Sequence, residues 1–160
     1  MGQTVNKQRI LEKIIAFLTA ELAELTSAAN ASFAAATDPD SKAENKYDTR
    51  SLEASYVARG QSQRVAELQE AVRTFKAMSG TSFPDAAPIT IGSLVSLQTN
   101  DGTSHYFIAP HAGGTEVGHE GQEVFVITPA SPLGQRLMGK AKGQSVLSPS
   151  GVTAEIVRAV

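Results

Sequence analysis

The most regular hydrophobic pattern of the chain begins close to its N-terminus. Aliphatic side chains recur there at alternating spacings of four and three residues, at Leu11, Ile15, Leu18, Leu22 and Leu25. This spacing places the side chains along one stripe of a helix and is typical of the a/d seam of a coiled coil. After the stripe the sequence becomes rich in alanine, which favours helix but buries little surface. The pattern therefore predicts a long first helix whose apolar seam covers its first half.

A second apolar stripe follows after a break in the helical pattern. Pro39 must interrupt the first helix, and residues 37–41 have turn-forming side chains. A second helix is predicted from about residue 42 to residue 78. Its later part has apolar positions spaced three, four and three residues apart, at Val65, Leu68, Val72 and Phe75. Since neither stripe can be buried by one helix alone, the two helices should pack as an antiparallel hairpin with the turn at its far tip.

Glycine and proline are distributed very unevenly along the chain. Eleven of the 13 glycines and six of the seven prolines lie from residue 80 onward. These residues are costly inside helices and tolerated in turns, so the front of the chain should be helical and the back rich in β-structure. We therefore expect an α+β protein in two parts, a helical hairpin at residues 1–79 and a β-rich domain at residues 80–160.

The β-rich part is predicted to form a small antiparallel sheet. Runs at residues 93–98 and 104–109 flank the Asn-Asp-Gly sequence at 100–102, which is a strong hairpin signal. Residues 123–128 are apolar enough for a central strand, and a last hairpin is expected within residues 145–160.

One short helix is expected within this sheet domain. Ser131 can cap its N-terminus, Pro132 suits its first position, and Gly139 ends it. Leu133 and Leu137 would then share one face of the helix. The domain should thus combine an antiparallel sheet with a single helix that packs on it.

The bulk composition excludes several classes of function. The 160-residue chain has a formal net charge of −2, which gives no overall attraction to nucleic acid or to an anionic membrane. It has no cysteine, which excludes disulfides, thiolate metal sites and cysteine nucleophiles. The longest apolar stretches are far too short to span a membrane, and the first residues lead into no signal-peptide core. By elimination we expect a cytoplasmic protein with no membrane partner.

The three histidines form no recognisable site in the sequence. His105, His111 and His119 lack a regular metal-ligand spacing, and no Ser-His-Asp spacing can be argued for them. We expect them to be structural or exposed to solvent.

The region around the short helix has a more specific pattern. Residues 131–143 read Ser-Pro-Leu-Gly-Gln-Arg-Leu-Met-Gly-Lys-Ala-Lys-Gly, and the segment at 92–97 fits the first strand of the same arrangement. This order closely resembles the C-terminal domain of the Gre transcript-cleavage factors, in which a Ser-Pro helix ends in Leu-x-Gly-Lys before a glycine turn and a hairpin. The resemblance covers about the last 70 residues. It implies an FKBP-like domain that contacts bacterial RNA polymerase through Ser131, Pro132 and Leu133.

The segment between the two predicted helices also resembles the Gre family. Gre factors place two acidic residues at the tip of an N-terminal coiled coil, within the approximate consensus Gly-Asp-x-x-Glu-Asn-Ala-x-Tyr. Residues 40–47 read Asp-Ser-Lys-Ala-Glu-Asn-Lys-Tyr, so that Glu44, Asn45 and Tyr47 match. The family's glycine is absent, and the first acid lies four instead of three residues before the glutamate. The Asp-Pro-Asp sequence at 38–40 also resembles the tip of the DksA-type factors, which enter the same polymerase channel.

An acidic tip of this kind has a clear chemical use. A second Mg²⁺ in a polymerase active site is held weakly by protein oxygens, because Mg²⁺ keeps most of its water. Carboxylates delivered on a narrow hairpin would hold that ion and orient the attacking water. The resemblance assigns this role to Asp40 and Glu44, with Asp38 as the substitute, and implies no tightly bound metal in the free protein. The alternative is that these acids only solubilise the turn, with Asp38 or Asp40 capping the second helix.

The resemblance implies an accessory transcription elongation factor and not an independent enzyme. Such a factor, a monomer, would enter the secondary channel of RNA polymerase and stimulate the polymerase's own cleavage of backtracked RNA. It would touch the nascent RNA only indirectly. DNA binding, which the resemblance also implies, is not favoured by the net charge of −2.

Two other functions remain open. A Gre-like paralogue would bind the same channel and inhibit or modulate transcription without cleavage. Alternatively, the β-rich domain would be a peptidyl-prolyl isomerase with a helical arm, which needs an aromatic-lined proline pocket. The domain offers few aromatic residues for such a pocket, namely Phe83, Tyr106, Phe107 and Phe125.

Overall fold

The computed structural model of the chain describes residues 4–37 and 50–160, with the backbone alone at residues 32–33, 35–37 and 50–58. The chain forms two compact units. One unit, which we call the sheet unit, combines the beginning of the chain up to Ile15 with Thr74–Val160. The other, the helical unit, is Ala16–Arg73. The predicted boundary between residues 79 and 80 marks the change in composition, whereas the first helical turns belong to the sheet unit.

Three helices and six strands are present in the described part of the chain. The helices are α1 (Lys7–Thr37), α2 (Arg50–Ala77) and α3 (Pro132–Leu137). The strands are β1 (Leu94–Thr99), β2 (Gly102–Ile108), β3 (Glu116–His119), β4 (Gln122–Ile127), β5 (Ser145–Leu147) and β6 (Thr153–Ala159). The predicted α+β class, helical in front and β-rich behind, is confirmed. Over their described residues, none of these helices is long and apolar enough to cross a membrane.

Burial within the helical unit follows the predicted stripes. Leu18 of α1 is 1% exposed and Leu68 of α2 is 2% exposed. The remaining stripe positions of this unit are half-buried or nearly buried, namely Leu22, Leu25, Val65 and Val72. Arg64 of α2 and Glu21 of α1 form an ion pair at 3.4 Å, so the two helices contact each other here. Their description as a coiled coil stays a prediction.

The six strands form one sheet in the order β3-β4-β2-β1-β6-β5. Neighbouring strands are antiparallel apart from β2 and β4, which run parallel, so the sheet differs from the wholly antiparallel one that we predicted. The reason is a crossover, because the chain leaves β2, forms β3 at the edge and returns as β4 between them. Glu120 and Gly121 make the tight turn into β4 with φ values of 52° and 77°, which is typical of a two-residue hairpin loop.

Helix α3 packs against one face of the sheet. Its Leu133 and Leu137 join a core cluster that includes Val95, Leu97 and Ile156. The alternation of the strand side chains places these residues on the side of the sheet opposite to Ser96. The predicted combination of a sheet with one packed helix is therefore present, while the label FKBP-like stays a prediction.

The ends of α1 and α2 that belong to the sheet unit contact its other face. Phe75 is fully buried, and its ring centroid lies 5.9 Å from that of Phe107 on β2. Lys13 of α1 donates a hydrogen bond to the carbonyl oxygen of Gly118 on β3 at 2.6 Å. Part of the apolar stripe predicted for the hairpin is thus used to cover the sheet.

Candidate docking surface and polar cavity

The residues predicted to deliver Mg²⁺, Asp38, Asp40 and Glu44, lie outside the described residues. The elements on either side define their place in the chain, since α1 ends at Thr37 and α2 is described from Arg50. Between these positions the sequence has four acidic and two basic residues. Among the described residues there is no group of three or more histidines, aspartates or glutamates that could hold a metal ion. The role of the acidic tip stays a prediction.

The start of α3 is fixed by a small set of hydrogen bonds. Ser131 is the N-cap residue and has an extended backbone with φ −65° and ψ 155°. Its Oγ accepts a hydrogen bond from the backbone N–H of Gly134 at 3.1 Å and donates one to the carbonyl oxygen of Thr128 at 2.7 Å. Pro132 begins the helix, where its missing N–H costs nothing, and it is exposed. The predicted cap is confirmed, and it holds Pro132 in a fixed position at the surface.

Gly134 allows this helix start to pack closely on the preceding turn. A Cβ atom at this position would lie 1.9 Å from the carbonyl oxygen of Thr128 and 2.8 Å from Oγ of Ser131. These distances are far shorter than any van der Waals contact, so the arrangement requires glycine. Gly134 is part of the Ser-Pro-Leu-Gly motif, but its steric role was not evident from the sequence.

The three residues predicted to contact RNA polymerase have different environments. Leu133 is 5% exposed, and its side chain packs in the core and not at the protein surface. Ser131 is half-buried and uses its hydroxyl for the cap, whereas Pro132 is exposed. The docking role of this surface stays a prediction, and Pro132 is its accessible member.

A second polar site crosses the middle of the sheet. His105 of β2, Ser96 of β1 and Arg158 of β6 are direct partners in the register of neighbouring strands. Ser96 Oγ and His105 Nδ1 form a hydrogen bond of 2.8 Å, and the two residues are 3% and 8% exposed. The other hydrogen bond of the His105 side chain is made with Gln122 of β4. We call Ser96, His105 and Arg158 the polar row.

Arg158 connects the polar row to the N-terminal residues of the chain. Its Nη1 donates a hydrogen bond to the carbonyl oxygen of Val5, a residue that is itself 5% exposed. A cavity of about 250 Å³ lies here. The cavity is lined by the polar row together with Thr4, Val5, Thr103, Gln122 and Val157. The polar row was missed in the sequence because its three residues are separated by up to 62 positions along the chain, from Ser96 to Arg158.

The Ser96–His105 pair does not have the environment of an activated nucleophile. The third residue, Gln122, is neutral and cannot stabilise an imidazolium as a carboxylate would. Burial and the positive charge of Arg158 lower the pKa of His105 from its ordinary 6.5, although the hydrogen bond with Gln122 acts in the opposite direction. His105 is therefore neutral at pH 7 and serves as a buried hydrogen-bonding group.

The lowered pKa of His105 predicts that the sheet unit loses stability in mild acid. Between the folded-state pKa and 6.5, the unfolded chain binds a proton that the folded chain does not. The free energy of unfolding should therefore be fully retained above pH 6.5 and fall as the pH is lowered through the folded-state pKa. Urea unfolding between pH 7 and pH 5 would measure this slope, which should be shallower in His105→Gln, with His111→Gln as the control for loss of a histidine. An equal slope in wild type and His105→Gln would contradict the prediction.

Lys7 is a buried cation in the sheet unit. Its Nζ is buried, has no hydrogen-bond partner among the described residues and lies 4.5 Å from the ring centroid of Phe83. Burial, and to a lesser extent the charge of Arg158, lowers the pKa of Lys7 to about 8. The ammonium group is still charged at pH 7, and among the residues that the structure describes only the aromatic ring offsets its desolvation.

Comparisons with known proteins give matches among solved structures. No family model matches the chain, and no curated protein matches it. GreA factor homolog 1 (Gfh1) of Thermus thermophilus is 17% identical, with a TM-score of 0.38 over 91% of this chain and 94% of that chain. Gfh1 of Thermus aquaticus is 19% identical, with a TM-score of 0.37 over 94% of this chain and 92% of that chain. The transcription elongation factor GreA/GreB from Nitrosomonas europaea is 17% identical, with a TM-score of 0.32 over 68% of this chain and 91% of that chain.

TM-scores of 0.32–0.38 and identities of 17–20% do not assign a function to this chain. The resemblance found in the sequence rests on residues 131–143, whose predicted helix start is present in the structure. The solved structures named above are a GreA factor homolog from two Thermus species and a GreA/GreB elongation factor.

Proposed function

We propose that this chain is a Gre-type transcription elongation factor that binds bacterial RNA polymerase in its secondary channel. There it stimulates the polymerase's own cleavage of backtracked RNA and has no active site of its own. The observation that supports this proposal best is the start of α3, where the family-like motif folds as a capped turn with Pro132 exposed. A rigid apolar residue on a core-packed base is a suitable anchor for a protein partner, because little conformational entropy is lost on binding.

The long helices supply the second part of the proposal. Helix α1 has 31 residues, which corresponds to about 46 Å of helix. The acidic segment follows its last residue and precedes the described start of α2. In the proposed mechanism, Asp40 and Glu44 at this turn complete the coordination of a Mg²⁺ ion that the polymerase holds weakly. Asp38 substitutes if Asp40 points away from the ion.

RNA shortening in a backtracked elongation complex tests the proposal directly. The purified full chain should shorten the RNA, and the double variant Asp40→Ala/Glu44→Ala should abolish shortening at low Mg²⁺ while it still binds polymerase. Raising the Mg²⁺ concentration should partly rescue each single variant, because mass action compensates for a lost ligand. Glu24→Ala/Glu67→Ala is the matched control, because it removes the same charge at Glu24 of α1 and Glu67 of α2, outside the acidic segment.

Three outcomes distinguish the parts of this proposal. If the double variant shortens RNA as well as the wild type, the carboxylates do not deliver the ion. If Pro132→Asp keeps its circular dichroism spectrum and still binds polymerase in a pull-down, the α3 surface is not the docking site. If the wild type shortens no RNA at any Mg²⁺ concentration, stimulation of cleavage is excluded.

The second candidate function is inhibition through the same channel. The altered tip favours it, because the family's glycine is absent and the spacing between the two acids is four instead of three. An inhibitory paralogue would bind polymerase, compete with cleavage factors and leave the RNA uncut. A prolyl isomerase is the remaining alternative, and a proline-isomerisation assay tests it. Phe125, which is 36% exposed beside Tyr106, is the most exposed of the four aromatic side chains of the β-rich domain.

A further inference from the structure

We infer that the cavity beside the polar row is a binding site for the phosphate group of a small molecule, with Arg158 as its principal ligand. The cavity has a volume of about 250 Å³ and lies wholly within the sheet unit. Its lining includes Ser96 and Arg158 on the neighbouring strands β1 and β6, and also Thr4 and Val5. This site is independent of the function proposed above.

The charge on the lining of the cavity is positive only, within the described residues. Its lining contains a guanidinium, an imidazole, three hydroxyls and an amide, and the described lining residues include no carboxylate. Within the described part of the chain Arg158 donates one hydrogen bond, to the carbonyl oxygen of Val5, although a guanidinium has five N–H donors. Within the described residues it forms no ion pair shorter than 4.0 Å. Among the described residues, the cavity therefore offers a positive charge with unused donors and no carboxylate in its lining.

The surroundings of Arg158 add to the excess of positive charge near the cavity. Lys7, whose ammonium group is close enough to feel the charge of Arg158, is buried and lacks a hydrogen-bond partner among the described residues. The carboxylate that acts on Arg158 is that of Asp85, which is itself 3.8 Å from Nζ of Lys142 and is exposed. The acid that acts on Arg158 is thus exposed and is also paired with a lysine, while Lys7 and Arg158 repel each other. Buried charge is costly unless a counter-charge is close, and a bound anion supplies one.

Phosphate is the anion that this donor set fits best. A guanidinium forms two parallel hydrogen bonds to phosphate oxygens, and these charge-assisted bonds are about twice as strong as neutral ones. The hydroxyl of Thr4, which also lines the cavity, is a further donor for a tetrahedral group with several acceptor oxygens. The volume leaves room for a small organic portion next to the phosphate.

Titration of the full chain with defined probes tests this site. The probes are inorganic phosphate, ribose 5-phosphate and ribose, and the readout is the amide spectrum of a ¹⁵N-labelled protein. We expect saturable shifts centred on Ser96, His105 and Arg158 with either phosphate probe and none with ribose. Saturation by ribose 5-phosphate alone would identify a phosphomonoester as the ligand, and saturation by both would identify the phosphate group itself.

A matched pair of arginine variants assigns the binding. Arg158→Gln should weaken phosphate binding about tenfold or more, since a hydrogen bond to a charged group is lost with the charge. Arg136→Gln is the control, because Arg136 also donates to a backbone carbonyl, that of Leu147 at 3.1 Å, but lies on α3 away from the cavity. Thr4→Val, at an exposed position of the lining, is a second test if Arg158→Gln does not fold, and it should weaken binding severalfold.

Several results would overturn the inference. One is that neither inorganic phosphate nor ribose 5-phosphate gives saturable shifts. Another is that Arg136→Gln weakens binding as much as Arg158→Gln does. Shifts of the same size with ribose would show that charge is not recognised. Tighter binding of an RNA oligonucleotide without terminal phosphates, with the same shifts, would replace the small-molecule ligand by nucleic acid.

Discussion

Replacement of Gly134 by alanine should destabilise the sheet unit by about 3 kcal/mol, the upper range for insertion of a methyl group into a packed site. The new Cβ would lie 1.9 Å from the carbonyl oxygen and 2.9 Å from the carbonyl carbon of Thr128. These are backbone atoms, so no side-chain rotation can relieve the overlap. The turn must move away from α3, which also breaks the capping hydrogen bonds of Ser131.

Urea titrations followed by the amide signals of β1 and β6 would measure this loss within the sheet unit. Gly118→Ala is the matched control, because its Cβ would meet no atom closer than 3.8 Å and its φ is not positive. Its unfolding midpoint should stay close to that of the wild type, within about 0.5 kcal/mol. A Gly134→Ala variant as stable as Gly118→Ala would show that the start of α3 is not packed as described.

Lys7→Met should have the opposite effect and stabilise the sheet unit by about 2 kcal/mol at pH 7. The decrease in the pKa of Lys7 from 10.5 to about 8 corresponds to a cost of about 3 kcal/mol for keeping the ammonium group charged in the folded state. Methionine fills a similar volume without that cost. Loss of the contact with Phe83 offsets about 1 kcal/mol of the gain.

The pH dependence of this gain in stability distinguishes removal of the buried Lys7 charge from a change in side-chain packing. Between pH 8 and pH 10.5 the unfolded wild-type chain binds the Lys7 proton more tightly than the folded chain does, so wild-type stability should rise with pH. Lys7→Met lacks this rise, and its advantage should shrink towards zero above about pH 10. Lys140→Met, at an exposed position, controls for the loss of a lysine. If Lys7→Met unfolds at lower urea than the wild type, the buried charge is not the dominant cost at this position.

The features that the sequence predicted correctly are determined by neighbours in the chain. The two stripes, one with Leu18 on α1 and one with Leu68 on α2, follow from helical spacing, and both residues are buried. The cap of α3 follows from Ser131 and Pro132, because an N-cap and a first-turn proline act on the next three residues. Such local rules need no knowledge of the remaining fold.

The features that were missed depend on strand register over long separations. The parallel pairing of β2 with β4 depends on where β3 lies, and turn chemistry at residues 100–102 gives no information about that. Ser96 stands in the apolar run of β1 and appeared to be an ordinary strand residue until the register placed it between His105 and Arg158. Lys7 has the sequence context of an exposed first-turn lysine, and its burial follows only from tertiary packing.

The position of β6 has a consequence for how the chain is made. This last strand lies between β1 and β5, and its Arg158 also holds Val5, which is 153 residues earlier. During synthesis the sheet therefore lacks an interior strand, and Val5 lacks its hydrogen bond from Arg158, until β6 has left the ribosome. The helical unit, Ala16–Arg73, is complete long before that. The helical unit therefore has all of its residues available for folding before the sheet does.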